Sequence, residues 1–381
     1  MNTLCDTSDL LVFSHLRWSQ SLQRPHHIMS RYAKHRRVFY IEEALESEVA
    51  SAYLHSQQSH EGVTIIVPYF PSGLSEASIN EVIKMLLCEF LEEEQIYRFV
   101  SLYHTPKALT YSIHLKPTLV LFDYLDTTSS ALEEYLIDIA HIVFACGSSL
   151  FETKKNGRMK FFQYPSSVDY DHFYQSRRNL IEPADQSRIP YPRIGFYGDT
   201  GHLNKNLVMN IAKLRPEFQF ILLIDKPEHQ TNLELANIHY LGKKDYHSLP
   251  AYFSGWDCAF LPISIDEENL MVSLPQIPEL LASATPIVAT SLPDALHPYA
   301  DHQFILIADH PEHFVQSIEK AINVSTYDTE WLEKIDEYLI DVSWDVTFKM
   351  MSQIELKYKH MLQTQRIPAY EDQSLMAIGI V

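Results

Sequence analysis

The side chains best suited to chemistry gather near the start of the chain. His15, Arg17 and Trp18 follow one apolar run, and Arg24, His26 and His27 stand at the start of the next amphipathic stretch. A guanidinium grips a carboxylate or phosphate through parallel hydrogen bonds. Arg24 therefore reads either as an anion-binding group or as half of a salt bridge that fixes a turn. His15 and His104 each end an apolar run. A histidine at a strand end serves a ligand or serves the core, and the residues alone leave both open. Two carboxylates stand out: Asp126, just after an apolar run, and Glu279, in the first turn of a helical stretch. A carboxylate accepts hydrogen bonds from two hydroxyls at once, and at a helix start it also gains from the dipole.

Other chemistries find less support. The chain has 19 histidines but no H-E-x-x-H and no Cys/His ligand spacing. His26 and His27 are adjacent, so on a helix their side chains diverge by about 100°. No metal site and no cofactor are expected. The four cysteines, Cys5, Cys88, Cys146 and Cys258, form no C-x-x-C pair, and two of them lie in apolar runs. They read as free thiols of a reducing compartment. A formal net charge of −19 argues against nucleic acid, whose binding needs a basic face to displace counterions. It also opposes broad attachment to anionic lipid, leaving peripheral membrane contact to a local basic patch. No basic n-region opens the chain and no apolar run approaches membrane-spanning length, so the expectation is no signal peptide, no integral span and a cytoplasmic location.

The elements that must position these residues follow from the pattern. At 381 residues, 46% hydrophobic and 21% charged, the composition is globular and two domains are the natural division. Apolar runs predict strands at 10–14, 38–42, 63–68, 97–102, 118–123 and 141–146, with helices at 25–34, 76–92, 106–114, 130–139 and 149–156. The polar stretch 177–192, with Pro183, Pro190 and Pro192, reads as a linker or a domain entry. A second alternation puts strands at 193–197, 219–224, 238–241, 257–262, 286–289 and 304–307. Its helices fall at 204–214, 246–254, 277–283, 311–324 and 329–339, and a last helix covers about 345–362. Runs apolar on both faces, alternating with helices, predict parallel sheets with right-handed crossovers. The reading is an α/β chain of two facing Rossmann-like domains, 1–175 and 190–340, with 345–381 completing the first. Ligands belong at the carboxyl ends of the strands, in the interdomain cleft.

Several segments together resemble the bacterial group 1 (family 4, retaining) glycosyltransferases, particularly the subgroup similar to teichuronic-acid glycosyltransferases. They run in order: Leu11–Trp18 with Gln23–His27, Phe122–Asp126, Ala145–Leu150, Tyr164–Phe173, Arg193–Gly198, Leu249–Tyr252, Gly255–Asp257, Pro278–Ala282 and Ser343–Asp345. The resemblance implies the GT-B fold and transfer of a sugar, with retention and without a metal, from a nucleotide-diphosphate donor. The acceptor would be a saccharide, a lipid-linked glycan or a small molecule, as in polysaccharide biosynthesis.

It also implies roles. Glu279 matches the family's ribose-binding helix glutamate. Gln276, Lys205, Gly198 and Lys226 fall where the donor's diphosphate would lie. His15 and Asp126 fall nearest the reaction, and Arg17, Trp18, Arg24 and His104 on the acceptor side. The sequence departs from the pattern at several points. Gln276 stands where the subgroup has a lysine, and Ala284 where a glycine is usual. Asp225 lies in an expected glycine turn, Met271 replaces a glutamate, and the arginine expected after Gly198 is missing, Lys205 being the nearest substitute. Ten glycines are far fewer than the usual ~7%, and losing one charge-stabilising donor costs roughly 3 kcal/mol of transition-state stabilisation. The alternative expectation is a degenerate homologue that keeps the fold as a binding or scaffold protein.

Overall fold

Both sheets are assembled from runs that are apolar on both faces, because helices cover each side of a parallel sheet. The computed structural model describes residues 8–20, 22–125, 130–146, 151, 155, 160–164, 166–178, 180–198, 200–225, 235–266, 270, 272–324 and 329–364. The chain divides into two units: Met1–Ala145, Lys155–Tyr164 and Thr347–Val381 form the first, and Cys146–Lys154 and Pro165–Val346 the second.

The first unit contains β1 (Asp9–Ser14), β2 (Val38–Glu42), β3 (Leu45–Ser47), β4 (Tyr53–Gln58), β5 (Thr64–Pro71), β6 (Phe99–Tyr103), β7 (Leu119–Tyr124), β8 (Ile142–Cys146) and β9 (Phe161–Tyr164). They form one sheet in the order β3-β5-β2-β1-β6-β7-β8-β9, with β4 antiparallel on β5. Without the short β3 and β9 and the antiparallel β4, this is the doubly wound order 3-2-1-4-5-6, which reverses direction between β1 and β6. β4 escapes the sequence pattern because its residues are mostly exposed and show no apolar run. The last helix, Trp344–Thr364, is bound to this unit from Thr347 onward. Arg36 donates to both carboxylate oxygens of the buried Glu355 at 2.6 and 2.9 Å, and Phe348 meets the Tyr32 ring edge-on.

The second unit contains β10 (Arg193–Tyr197), β11 (Gln219–Leu223), β12 (Ile238–Tyr240), β13 (Cys258–Leu261), β14 (Ile287–Ala289) and β15 (Leu306–Ile307), ordered β12-β11-β10-β13-β14-β15. All five pairings are parallel. This is again 3-2-1-4-5-6, reversing between β10 and β13. Gly195 makes room for the indole of Trp256, since a Cβ there would stand 1.9 Å from the ring. Trp256 in turn donates to Gln186. Gln186 is fully buried, so of the two readings of the polar 177–192 stretch the structure has the domain entry, packed onto this unit. Residues 166–175, expected with the first half, also belong to it. Most of the helix expected at 149–156 lies outside the described residues.

Candidate functional site

The carboxyl edge of the second sheet, at its reversal point, carries the most ligand-ready group of side chains. β10 ends at Tyr197, and Gly198 follows with φ 144°. A Cβ at Gly198 would strain the backbone and stand 2.7 Å from Gln276 Nε2; only glycine suits this position. The loop after β10 is tied to the loop after β13, because Asn204 N donates to Pro262 O at 2.8 Å and Ser264 N to His202 O at 2.9 Å. Asn204 caps the helix Lys205–Leu214 by accepting from Leu207 N at 3.0 Å. Lys205, its first residue, has no ion-pair or hydrogen-bond partner among the described residues.

The helix Gln276–Ala282 brings the other two residues. Gln276 Oε1 is buried without a hydrogen-bond partner. Glu279 accepts a short hydrogen bond from the Tyr197 hydroxyl. Burial pushes the Glu279 carboxyl up to about 8, Asp169 adds to the rise, and the Tyr197 bond pulls against it. Burial and the Glu279 charge raise the Tyr197 phenol in turn. The far end of this helix is gripped by Arg177, which donates to Ala282 O at 2.8 Å and to both oxygens of Asp336 at 2.7 and 2.8 Å. The helix then closes through Ala284 at φ 60°, with Thr285 N bonded to Leu280 O at 3.0 Å and Ala284 N to Leu281 O at 2.9 Å. This is a left-handed closure that glycine normally makes, and an alanine there costs roughly 1 kcal/mol. Asp225 accepts from Lys243 N at 3.3 Å. Lys226, Met271 and Asp126 lie outside the described residues.

The corresponding edge of the first sheet is organised differently. Arg24 donates from Nε and Nη2 to Asp123 at 3.0 and 2.7 Å, and its guanidinium lies 3.4 Å from the centroid of the Tyr164 ring. The Tyr164 hydroxyl donates to the same carboxylate at 2.7 Å. Of the two readings the sequence leaves for Arg24, the structure has the salt bridge. Burial alone would raise Asp123, but the Arg24 guanidinium beside it holds the carboxyl below its usual range. His104 Nε2 stands 3.6 Å from Asp123 Oδ2, beyond hydrogen-bond length, and neither ring nitrogen has a hydrogen-bond partner. Burial lowers its pKa, so the ring is neutral.

Arg17 pairs with Glu42 at 2.8 Å, and Trp18 N donates to the other oxygen of Glu42 at 2.7 Å. The Trp18 ring rests against His26 and Tyr40 at 4.8 and 5.1 Å. His26 is a capping residue: its Nδ1 accepts from Gln23 N at 3.0 Å, and its Nε2 faces Trp18 O at 3.2 Å. His15 follows β1 and stands near enough to His104 to oppose its protonation.

Sequence reasoning missed Glu42 and Tyr164 in the first unit, and Tyr197 and Arg177 in the second. Glu42 had a usable signal, since it is the charged residue closing the apolar run Val38–Glu42, as Asp123 nearly closes another. Tyr197 had only its place beside Gly198. No group of three or more possible metal ligands occurs among the described residues, and no helix there is long and apolar enough to cross a membrane.

No family model matches the chain. A protein of Bacillus subtilis (strain 168), provisionally assigned as the teichuronic acid biosynthesis glycosyltransferase TuaH, is 24% identical over 173 residues, 44% of this chain and 43% of that protein. The match thus spans less than half the length of this curated relative. Solved structures agree over far more of the chain. A sucrose-phosphate synthase from Thermosynechococcus elongatus is similar with a TM-score of 0.65 at 11% identity, over 92% of this chain and 98% of that one. A UDP-forming trehalose-phosphate synthase from Burkholderia xenovorans, solved with glucose-6-phosphate, gives 0.65 at 10% identity over 92% and 100%. The catalytic domain of starch synthase IV from Arabidopsis thaliana, bound to ADP and acarbose, gives 0.60 at 12% over 93% and 99%. At such low identity these likenesses speak for architecture alone, and the architecture of this chain is the GT-B fold of the glycosyltransferases.

Proposed function

We propose that this chain is a retaining glycosyltransferase of the group 1 type. It transfers a sugar from a nucleotide-diphosphate donor to a glycan, lipid-linked or small-molecule acceptor in the cytoplasm. One observation carries the reading. At the reversal point of the second sheet, Gly198, Gln276 and Glu279 stand together, with an unsatisfied oxygen on Gln276. Open parallel sheets take nucleotides at that point.

In this reading Glu279 accepts the ribose hydroxyls and exchanges its Tyr197 bond for them. The bare backbone at Gly198 allows close approach of the diphosphate. Lys205 supplies charge from the start of its helix, where the dipole also favours an anion. Gln276 donates a hydrogen bond to the leaving group where a lysine would supply charge. Lys226 is assigned to the same diphosphate. His15 and Asp126 belong to the reacting centre, and Arg17, Trp18, Arg24 and His104 to the acceptor side, Arg24 and His104 through their effect on neighbours.

The test is thermal unfolding of the purified protein against nucleoside diphosphates and their sugars. A ligand at one hundred times its dissociation constant stabilises the fold by about 2.7 kcal/mol. The expected outcome is a shift with one base, abolished by Glu279→Ala. Absence of a shift with every nucleotide at saturating concentration sinks the proposal.

A further inference from the structure

We infer that the acceptor held at the first unit's sheet edge is an uncharged sugar laid against Trp18, and not a sugar phosphate. The inference rests on the transferase reading above and names its acceptor class. Both arginines placed on the acceptor side are already cancelled. Arg24 spends its fork on Asp123 and lies flat on Tyr164; Arg17 is bound to Glu42. Each pair is neutral, and each carboxylate also draws a second donor, the Tyr164 hydroxyl or Trp18 N. His104 behind them is an uncharged imidazole. A phosphate dianion would approach two carboxylates whose guanidinium charges are already paired, with only leftover N–H groups, such as the buried Arg24 Nη1, to meet it. It would also lose its hydration at the edge of a buried network, which is costly for an ion without a partner.

A neutral pyranose finds better complements. Trp18 is half-buried, and its ring is held by His26 and Tyr40. A rigid aromatic surface with a polar tip suits a ligand that is apolar on its C–H face and polar at its rim. No hydrogen bond occupies the Trp18 indole N–H among the described residues.

The experiment is tryptophan-fluorescence titration of the full chain with a panel of neutral methyl glycosides and with glucose 6-phosphate, at low and high salt. The expected result is saturable quenching by at least one glycoside, insensitive to salt and lost in Trp18→Phe, with glucose 6-phosphate about tenfold weaker or more. Glu42→Gln uncovers Arg17, and it should strengthen glucose 6-phosphate by about tenfold in a salt-sensitive way, worth about 1.4 kcal/mol. Tighter binding of glucose 6-phosphate than of every glycoside overturns the inference. So does the absence of quenching by all glycosides up to their solubility. Nucleotide binding is read separately, so glycoside binding without any nucleotide shift would sink the transferase reading alone.

Discussion

The two sheet edges share one strand order and differ in how their polar groups are spent. In the first unit the charged residues are committed to each other: Arg24 with Asp123 and Tyr164, Arg17 with Glu42. In the second unit Lys205 has no partner among the described residues, Gln276 Oε1 is unsatisfied, and Glu279 holds only a tyrosine. Arg24 Nη1 and both His104 ring nitrogens are also buried without a hydrogen-bond partner, so the two edges differ in how their charges are paired. The same topology supports one edge of prepaired charges and one whose lysine and carboxylate have no opposite charge bound to them among the described residues. Stability should therefore depend on the first set of residues and ligand binding on the second.

The largest expected effect tests the first half of that contrast. Asp123→Ala leaves a largely buried guanidinium uncompensated over Tyr164. Removing one partner of such a pair costs about 3–5 kcal/mol. Urea denaturation should show that loss, whereas Glu279→Ala should cost less, about 1–3 kcal/mol for the Tyr197 hydroxyl left without its partner, while abolishing the nucleotide shift. Equal losses in both variants would erase the distinction between the edges.

The pH dependence should separate them next. Burial lowers the pKa of His26 and His104 below the ordinary 6.5. The unfolded chain then takes up protons first as pH falls, so their stabilising contribution is present above about 6.5 and is lost on acidification. Glu279 works in the opposite sense. Its folded pKa is raised from 4.5 to about 8. Its contribution is complete below 4.5 and is lost as pH rises through 8. Melting temperature measured against pH should fall at both ends, and Glu279→Gln should flatten only the alkaline side. If that variant leaves the alkaline limb as steep as before, the raised carboxyl is not its source.

Most of the architecture was legible because it is written in periodicity. Runs such as Leu10–Phe13 and Phe220–Leu223 are fully or almost fully buried, and a parallel strand covered on both faces cannot be anything else in so short a length. β4 was not legible, since Tyr53–Gln58 is held by backbone pairing to β5 and not by burial. Nor was the packing of residues 177–192, where Gln186 is buried by virtue of partners far along the chain, Tyr252 and Trp256. The individual site positions could be read, but their pairing could not. Asp123 and Arg24 are 99 residues apart, and nothing local announces that one neutralises the other. Ala284 is instructive in the other direction: the sequence marks it as a missing glycine, and its φ of 60° gives the reason.

A charge added to the less committed edge should act more modestly. Gln276→Lys sets an ammonium beside Gly198, where Gln276 Nε2 now lies. The variant should bind a nucleoside diphosphate about tenfold more tightly, an effect of about 1.4 kcal/mol, and the gain should shrink as salt is raised. An unchanged dissociation constant by calorimetry would mean that the diphosphate does not reach this residue.

The smallest effect belongs to a position remote from both edges. Gln95 follows the helix Glu76–Glu93 at φ 55°, with Ile96 N bonded to Leu91 O at 2.8 Å and Gln95 N to Glu92 O at 3.1 Å. This is the closure Ala284 makes, but Gln95 is exposed while Ala284 is buried. Gln95→Gly removes the left-handed penalty and no packed atoms, so it should stabilise by about 0.5–1 kcal/mol. Ala284→Gly relieves the same backbone but gives up a buried methyl, worth about 0.8 kcal/mol, and should come out close to neutral. Thermal unfolding of the two variants side by side separates backbone strain from packing: equal gains would mean that the Ala284 methyl contributes nothing to the second unit's core.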